Sequence, residues 1–134
     1  MADTHDGGCL CGRVRFRAEG RPNNVTNCHC RLCQRQGGAA YVTWAEFPAA
    51  RVTWLGDDPT WYRSSDTGER GFCPTCGATL TFRYVGGADV DLASVAFDDG
   101  DAFPPGDELW TQSERAWTSA QGHLPRHARG RADG

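Results

Sequence analysis

Cysteine side chains are the groups in this chain best suited to chemistry. All seven fall into three short clusters, Cys9-Leu10-Cys11, Cys28-His29-Cys30-Arg31-Leu32-Cys33 and Cys73-Pro74-Thr75-Cys76. Four thiolates complete the tetrahedral shell of Zn²⁺, whereas three leave one position free for water or a substrate atom. Two pairs and one triplet therefore predict one closed metal site and one open metal site.

Disulfide bonds are the competing explanation for such dense cysteine. Residues 1–8 contain neither the basic start nor the apolar stretch of a secretory signal, so we expect a cytoplasmic location in which thiols stay reduced. Seven is an odd number, and cysteines as close as Cys9 and Cys11 are poorly placed to bridge each other without strain. These observations favour metal binding.

The first and third clusters share a glycine directly after their second cysteine, Gly12 and Gly77. In a metal knuckle the chain turns sharply so that backbone N–H groups point at sulfur, and glycine readily adopts the positive φ that such a turn commonly needs. Two knuckles of this form predict a Cys₄ site between the start and the middle of the chain. Its ligands are Cys9, Cys11, Cys73 and Cys76.

The triplet Cys28, Cys30 and Cys33 predicts the open site. His29 is a candidate fourth ligand, but neighbouring side chains in an extended stretch point to opposite sides, so we expect it to face the protein or the substrate. Three anionic sulfurs reduce the Lewis acidity of the metal, and its natural fourth ligand is another sulfur. A bound thiol would be held as thiolate, the nucleophilic form.

Composition limits the class of protein. The 134 residues suffice for one domain, and 14 basic against 17 acidic residues give a net charge of −3, without the basic excess that nucleic acid or an anionic membrane requires. The longest apolar run, residues 92–97, is far shorter than the ~20 residues that span a bilayer. We expect a soluble protein. All basic residues are arginine, and the lack of lysine excludes Schiff-base and P-loop chemistry.

Short extended segments separated by turn residues predict a mainly β domain. Residues 12–19 alternate arginine with apolar side chains, as in a half-buried strand. Further predicted strands are 39–46, 51–55, 60–63, 69–72, 79–84, 90–96 and 109–112. One short helix is predicted over residues 31–36, ended by Gly37-Gly38. The unpatterned polar end predicts a domain over 1–118 and a loosely held tail over 119–134.

With these residues in view, the chain resembles the glutathione-dependent formaldehyde-activating enzymes, the family that includes centromere protein V. The matching pieces are residues 7–16, 28–39, 62–65 and 70–80. The resemblance implies a β-tent fold of short antiparallel strands and two zinc ions per chain. It also implies a structural site on Cys9, Cys11, Cys73 and Cys76, and a catalytic site on Cys28, Cys30 and Cys33. The family's namesake reaction joins formaldehyde to glutathione and is classed in reverse as a carbon-sulfur lyase.

One segment departs from the family pattern. Members usually carry a histidine before an Ile-aromatic pair near the end of the domain, and this chain reads Glu108-Leu109-Trp110 there. If that histidine shapes the active site of relatives, a carboxylate at Glu108 would change the substrate preference.

Arginine is the expected partner of the two carboxylates of glutathione. Arg31 and Arg35 lie nearest to the triplet, and their four-residue spacing would place both on one side of a helical turn. We predict that they bind substrate, with ordinary solvated arginine as the alternative. The stripe Arg13, Arg15 and Arg17 would either bind an anion or face solvent from an edge strand.

Two functions are compatible with this sequence, and a third is excluded by its cysteines. The leading hypothesis is a zinc-dependent carbon-sulfur lyase-type enzyme that joins a thiol, glutathione or similar, with an aldehyde such as formaldehyde. The alternative is a non-catalytic zinc-binding interaction or scaffold module. A methionine sulfoxide reductase would need a separate redox cysteine, and no cysteine lies outside the three clusters. Iron is an alternative occupant of a thiolate site.

Overall fold

The computed structural model of the protein describes residues 3–131 and confirms the predicted mainly β class. Its strands are β1 Thr4–Gly8, β2 Arg15–Glu19, β3 Asn24–Cys28, β4 Val42–Pro48, β5 Val52–Trp54, β6 Thr60–Arg63, β7 Gly68–Phe72, β8 Thr79–Tyr84, β9 Asp89–Ala93 and β10 Asp107–Leu109. The α-helix α1 spans Arg31–Gly37. Short 3-10 helices span Ala49–Arg51, Ser94–Ala96, Thr111–Ser113 and Thr118–His123.

The strands form two sheets. The smaller sheet is antiparallel, with the strand order β1-β2-β5. The larger sheet has seven strands in the order β10-β3-β4-β9-β8-β7-β6, and β10 runs parallel to β3 while the other neighbours are antiparallel. A parallel pair requires a long crossover, and here the connection from β3 to β10 contains all the strands from β4 to β9.

A hydrophobic core fills the space between the two sheets. Phe16 and Ala18 of β2 are fully buried and belong to one cluster with Phe47 of β4 and Leu92 of β9. The arginines of β2 alternate with these apolar residues, which confirms the half-buried strand predicted over residues 12–19. Full burial of a side chain such as phenylalanine contributes about 1.5–3 kcal/mol, so this core accounts for much of the cohesion between the sheets.

The arginine stripe on β2 is occupied by acidic partners. Arg15 donates two hydrogen bonds to the carboxylate of Asp98, at 2.9 and 2.6 Å, and Arg17 donates two to Asp6, at 2.8 and 3.0 Å. These arginines hold the pKa of each carboxyl below its usual value. Arg15 and Arg17 therefore serve as ion-pair partners of the protein's own carboxylates, and Arg13 is exposed.

The other face of the large sheet carries a row of polar and aromatic side chains. Arg70 of β7 pairs with Phe82 of β8, Phe82 pairs with Asp91 of β9, and Asp91 pairs with Glu46 of β4. Directly paired residues of antiparallel strands project from the same face, so the four side chains lie side by side. Trp44 lies two positions before Glu46 on β4 and joins this face. The row forms the floor of the site described below.

The predicted tail begins inside a short 3-10 helix, Thr118–His123, rather than at an element boundary. His123 and His127 are exposed, and residues 132–134 of the predicted tail lie outside the described residues. Among the described residues, no helix combines the length and the apolar character needed to cross a membrane.

Candidate metal centres and active site

Four cysteine sulfurs converge where two turns meet. Cys9 and Cys11 lie in the turn between β1 and β2, Cys73 and Cys76 lie in the turn between β7 and β8, and their sulfurs are within 4.8 Å of one another. The residues that follow each pair, Gly12 and Gly77, have φ values of 84° and 78°. The turn geometry predicted for both glycines is therefore confirmed.

The sulfur spacing of this four-cysteine cluster suits a tetrahedral metal. The Sγ atoms of Cys9 and Cys11 are 3.6 Å apart, and those of Cys11 and Cys73 are 3.8 Å apart. A tetrahedron with Zn–S distances of about 2.3 Å places its sulfurs about 3.8 Å apart. The donor set and its dimensions thus fit zinc with all four positions filled.

Backbone N–H groups stabilise the sulfurs of this cluster. The Val14 N–H donates to Cys9 Sγ at 3.3 Å, and the Cys76 N–H donates to Cys73 Sγ at 3.5 Å. Although partial burial acts against it, the Val14 hydrogen bond and the neighbouring thiols lower the pKa of Cys9 to about 6. Although a backbone hydrogen bond acts against it, the same neighbouring thiols raise the pKa of Cys11 to about 11, so Cys9 is the sulfur of this pair that is favoured as thiolate.

The second cluster is built by the junction of β3 and α1. Cys28 ends β3, Cys30 is the N-cap of α1, and Cys33 lies in the first helical turn, with the three sulfurs within 4.8 Å of one another. The Cys30 side chain accepts a hydrogen bond from the Cys33 N–H at 3.2 Å, so the thiol also caps the helix. Three soft donors at this spacing can hold a metal ion and leave one position free.

Two side chains from the sheet donate hydrogen bonds to Cys33. Its Sγ accepts from Nε1 of Trp44 and from Nη1 of Arg70, each at 3.4 Å. A hydrogen bond from the Cys28 thiol, opposed by burial and assisted by Trp44 and Arg70, lowers the pKa of Cys33 to about 5. The same shared proton and burial raise the pKa of Cys28. Cys33 is therefore the sulfur of this cluster most strongly stabilised as thiolate.

Arg70 is held rigidly beneath the second cluster. It is 4% exposed, its Nε donates to Ser64 Oγ at 3.2 Å, and its guanidinium lies 5.1 Å from the ring centroid of Phe82. Arg70 lies in the family motif of residues 70–80, but its type and spacing indicated no role. The only signal was its place in that motif, because contact with Cys33 depends on the pairing of distant strands.

A cavity of about 430 Å³ opens beside the second cluster. The three cysteines and the first turn of α1 form one wall, and Trp44, Phe82 and Asp91 form part of the floor. The second cluster thus combines a free coordination position with room for a substrate, whereas the four-cysteine cluster lines none of the main cavities of residues 3–131.

Two further segments complete the cavity. One is the loop after β6, which contributes the hydroxyl groups of Ser64, Ser65 and Thr67. The other is the chain from Leu109 to Ser113, which includes Trp110 in the left-handed conformation with φ of 58°. The walls therefore combine hydroxyl groups on one side with apolar surface on the other.

The two predicted substrate-binding arginines lie in different depressions. Arg31 lines the cavity, and its Nη1 donates to Gln34 Oε1. Arg35 instead lines a neighbouring depression that shares Leu32, Ser64 and Arg70 with the cavity. The structure thus brings only Arg31 into the cavity, although the two depressions adjoin.

The His29 side chain faces the protein, which is one of the two orientations predicted from the sequence. The side chain is fully buried, its Nε2 lies 2.9 Å from Glu108 Oε1, and its ring is 5.0 Å from that of Tyr41. Glu108 belongs to this contact, whereas its neighbours Leu109 and Trp110 line the cavity. Glu108, which stands where family members usually carry a histidine, therefore supports the cysteine loop and is not part of the cavity lining.

Gln34 connects the cysteine loop to the far wall of the cavity. Its Nε2 donates to the backbone carbonyl of His29 at 2.7 Å and to that of Ser113 at 3.0 Å, and the His29 N–H donates to the Leu109 carbonyl at 2.9 Å. The cysteine loop and the segment 109–113 therefore form one hydrogen-bonded unit.

Asp91 brings an ionisable carboxyl to the cavity floor. Burial, followed by the negative charges of Glu46, Cys33 and Asp89, raises its pKa to about 7. Such a group exchanges its proton near neutral pH. No spacing in the sequence indicated this residue, because its position depends on the cross-strand row of the large sheet.

The fold and the two cysteine clusters define a class of mainly β proteins. Such a protein has one cluster of four cysteines that can enclose a metal ion and one cluster of three cysteines beside a cavity. The profile of the glutathione-dependent formaldehyde-activating enzymes matches residues 4–113, and the chain belongs to this family. This confirms the resemblance drawn from the motifs.

Two similar proteins place the chain among known sequences and structures. An uncharacterised lyase of Schizosaccharomyces pombe is 29% identical over 83 residues, which cover 62% of this chain and 60% of that protein. The crystal structure of a Rhodobacter sphaeroides protein matches with a TM-score of 0.59 and 20% identity, covering 70% of this chain and 88% of that one. The second likeness supports the fold alone.

Proposed function

We propose that the protein is a zinc-dependent lyase-type enzyme that joins a thiol, glutathione or similar, with an aldehyde such as formaldehyde. One observation carries the proposal: the cluster with three cysteines opens onto a cavity, whereas the cluster with four does not. Membership of the formaldehyde-activating family and the lyase named in Schizosaccharomyces pombe support the reaction class.

The two clusters would hold one zinc ion each. Cys9, Cys11, Cys73 and Cys76 would bind the structural ion, and Cys28, Cys30 and Cys33 would bind the catalytic ion. When bound at the second cluster, zinc supplies a positive charge that favours the thiolate form of a substrate thiol. Arg70 and Trp44 would keep Cys33 oriented through their hydrogen bonds to its sulfur.

The cavity dimensions suit a small substrate. Its volume of about 430 Å³ falls within the roughly 300–1,000 Å³ of small-molecule sites. The rings of Trp44 and Phe82 exclude water from the floor, and the hydroxyl groups of Ser64 and Ser65 offer hydrogen bonds at the side.

Arg31 and Arg35 would bind the two carboxylates of glutathione from adjoining depressions. Arg31 lies in the cavity, and Arg35 lies beyond the shared residues Leu32 and Ser64. Both are permanently charged donors suited to carboxylates. A thiol of extended shape could therefore place its sulfur in the cavity and one carboxylate in the neighbouring depression.

Domain limits and location are part of the same proposal. The family profile ends at residue 113, which supports a domain over 1–118 followed by a polar segment over 119–134. A cytoplasmic location would keep the seven thiols reduced and able to bind metal.

Cobalt substitution tests the thiol-binding step directly. In protein loaded with Co²⁺, glutathione should raise the sulfur-to-cobalt charge-transfer absorption of the second cluster, and Cys30→Ser should abolish this change. Exchange spectroscopy by NMR should show that the zinc-loaded protein accelerates interconversion of glutathione, formaldehyde and their adduct. If millimolar thiol leaves the cobalt spectrum unchanged, the enzyme loses its mechanism and the scaffold module replaces it.

A further inference from the structure

Asp91 holds a carboxyl group on the cavity floor without a fixed partner. Its backbone carbonyl accepts from Thr81 Oγ1 at 2.7 Å, but within residues 3–131 no group donates a hydrogen bond to its carboxyl oxygens. Several buried polar atoms of the described residues lack a hydrogen bond, but the carboxyl oxygens of Asp91 are not among them. These oxygens are therefore not fully enclosed. Asp91 lines the cavity together with Cys28 and Cys33, and it also lines an adjoining depression with Glu46 and Asp89.

The groups around Asp91 favour its protonated form. Glu46 faces it from β4, Asp89 lies on its own strand, and Cys33 approaches from α1, all with negative charge when ionised. The two arginines that line the cavity have other partners. Arg70 donates hydrogen bonds to Cys33 and Ser64 and lies over the ring of Phe82, and Arg31 donates a hydrogen bond to Gln34. Burial and this negative surrounding raise the pKa of Asp91 to about 7.

Few other residues of the cavity lining can move a proton near neutral pH. The guanidinium groups of Arg31 and Arg70 do not deprotonate in proteins, and serine and threonine hydroxyls are far too weakly acidic. A phenol hydroxyl is likewise a much weaker acid than a carboxyl. The cysteines of the lining are the proposed metal ligands. Among the described residues that line the cavity, the carboxyl of Asp91 is the remaining candidate for proton transfer.

We propose that Asp91 is the proton-transfer residue of the thiol–aldehyde reaction, accepting the proton of the incoming thiol and delivering it to the aldehyde oxygen. The inference rests on the proposed function and deepens it. Its role differs from that of Arg70, which contacts a cysteine sulfur, because Asp91 would contact the reacting atoms themselves.

The proposed step balances without an added oxidant or reductant. The S–H bond of the thiol breaks and its proton passes to the Asp91 carboxylate, while the sulfur electron pair forms the S–C bond. The π pair of the carbonyl group moves to oxygen, which takes the proton from Asp91. The product is the S-hydroxymethyl thioether, and Asp91 returns to its starting state. Cleavage of the adduct uses the same transfers in reverse.

A direct titration of Asp91 is the first test. The ¹³C signal of its carboxyl carbon, assigned by its loss in Asp91→Asn, is followed against pH in zinc-loaded protein. We expect a midpoint well above the ordinary aspartate value, because burial raises the pKa of this carboxyl. A midpoint near the ordinary aspartate value of about 4 overturns the proposal, because the group would then hold no proton at neutral pH. This measurement uses the unaltered protein and needs no activity.

Kinetics of Asp91→Asn provide the second test. The control is Asp58→Asn, which removes an exposed carboxyl between β5 and β6, outside the cavity and outside the charged surroundings of Asp91. Asp91→Asn should lower kcat by about 10²–10⁴-fold and abolish a pH dependence near 7, while thiol binding to cobalt-loaded protein stays unchanged. Asp58→Asn should retain the unaltered rate, and Asp91→Glu should restore part of it.

Each contrary outcome identifies what fails. Rates for Asp91→Asn equal to those of the unaltered protein overturn the role of Asp91 but leave the proposed function standing. A raised KM limited to thiols that carry an amino group, with 3-mercaptopropionate unaffected, assigns Asp91 to ammonium binding and also overturns proton transfer. If the unaltered protein shows no thiol–aldehyde exchange while Asp91 still titrates near 7, the proposed function fails and this inference fails with it.

Discussion

The two cysteine clusters differ in where their sulfurs obtain hydrogen bonds. In the four-cysteine cluster the donors are backbone N–H groups of the turns, and Leu10 between its first two cysteines is 88% exposed. In the three-cysteine cluster, Cys33 accepts from the side chains of Trp44 and Arg70, which project from the large sheet. One cluster thus depends on local turn geometry and the other on tertiary packing.

This difference separates stability from chemistry. Donors supplied by the backbone form whenever the turn forms, so the four-cysteine cluster suits a metal that holds β1, β2, β7 and β8 together. Donors supplied by cavity side chains link the charge on Cys33 to the surroundings of a substrate. The comparison can be tested by altering each cluster separately.

Loss of one ligand from each cluster should give the largest contrast. A structural zinc ion contributes on the order of 10 kcal/mol, comparable with the whole stability of a domain. Cys73→Ser should therefore yield largely unfolded or insoluble protein, whereas Cys30→Ser should stay folded and bind one zinc ion instead of two. Circular dichroism and metal analysis check both variants. If the two fold equally well, or both collapse, the division of roles is wrong.

Replacement of Arg70 should weaken metal binding at the second cluster alone. Arg70→Lys keeps the charge but loses the geometry that reaches both Cys33 and Ser64, and loss of such support commonly lowers metal affinity about 10–100-fold. Competition with a chromophoric chelator measures this affinity. The control is Arg83→Lys, since Arg83 stacks on Trp61 at 3.7 Å outside the cavity. An equal effect of the two variants would contradict a specific role for Arg70.

Asp91 should make stability depend on pH. Below pH 3.8 the Asp91 carboxyl is neutral in both the folded and the unfolded state. Between pH 3.8 and about 7 this carboxyl ionises only in the unfolded chain. The free energy of unfolding therefore falls as pH rises through this range. Asp91→Asn should therefore be more stable than the unaltered protein at pH 8, by on the order of 2 kcal/mol, and equally stable near pH 3.5.

Urea unfolding of zinc-loaded protein across this range measures the difference. Asp58→Asn serves as the comparison, because it removes an exposed carboxyl that takes no part in the surroundings of Asp91. A stability difference that grows as pH falls would have the wrong sign and would remove the basis for a raised Asp91 pKa.

Removal of the two helix arginines should give the smallest effect. The double variant Arg31→Gln and Arg35→Gln should weaken glutathione about tenfold, near 1.4 kcal/mol, while an uncharged thiol such as 2-mercaptoethanol binds as before. Calorimetric titration of both thiols separates charge recognition from sulfur binding. Arg13→Gln removes an exposed arginine in the turn before β2 and should change neither affinity. Equal weakening of both thiols would show that these arginines support the loop instead.

Local patterns predicted much of the fold. The predicted strands over 60–63 and 79–84 coincide with β6 and β8, and the helix predicted over 31–36 is α1 with one residue more. These segments carry alternating side chains or clear glycine boundaries, so their signal is contained in their own residues. The cysteine groupings likewise followed from spacing alone, as the convergence of the sulfurs now indicates.

Strands that depend on their partners were missed. The segment Thr4–Gly8 has no apolar alternation, yet it pairs with β2. A Cβ atom at Gly7 would lie 2.5 Å from the Phe16 ring, so the glycine is needed for close packing rather than for a turn. Strand β3 is polar in sequence and forms between β4 and β10. Such strands are specified by neighbours distant in the chain.

The same limit applies to the cavity. Arg70 and Asp91 lie on one row because the register of β7, β8 and β9 aligns them on either side of Phe82. Residues on three separate strands are not connected by any spacing in the sequence. The two cysteines of a pair, in contrast, lie within four positions of each other and can be recognised from the sequence. The cysteine groupings were therefore predictable, and the groups proposed to act on substrate emerged only from the sheet.

The parallel pairing of β10 with β3 has a consequence for the order in which the protein is made. All seven cysteines have been synthesised by residue 76, but the cavity wall from Leu109 to Ser113 follows much later in the chain. A ribosome-bound chain that stops before β10 thus carries every sulfur ligand and lacks one side of the cavity. In the growing polypeptide, the capacity to bind metal precedes the capacity to enclose a substrate.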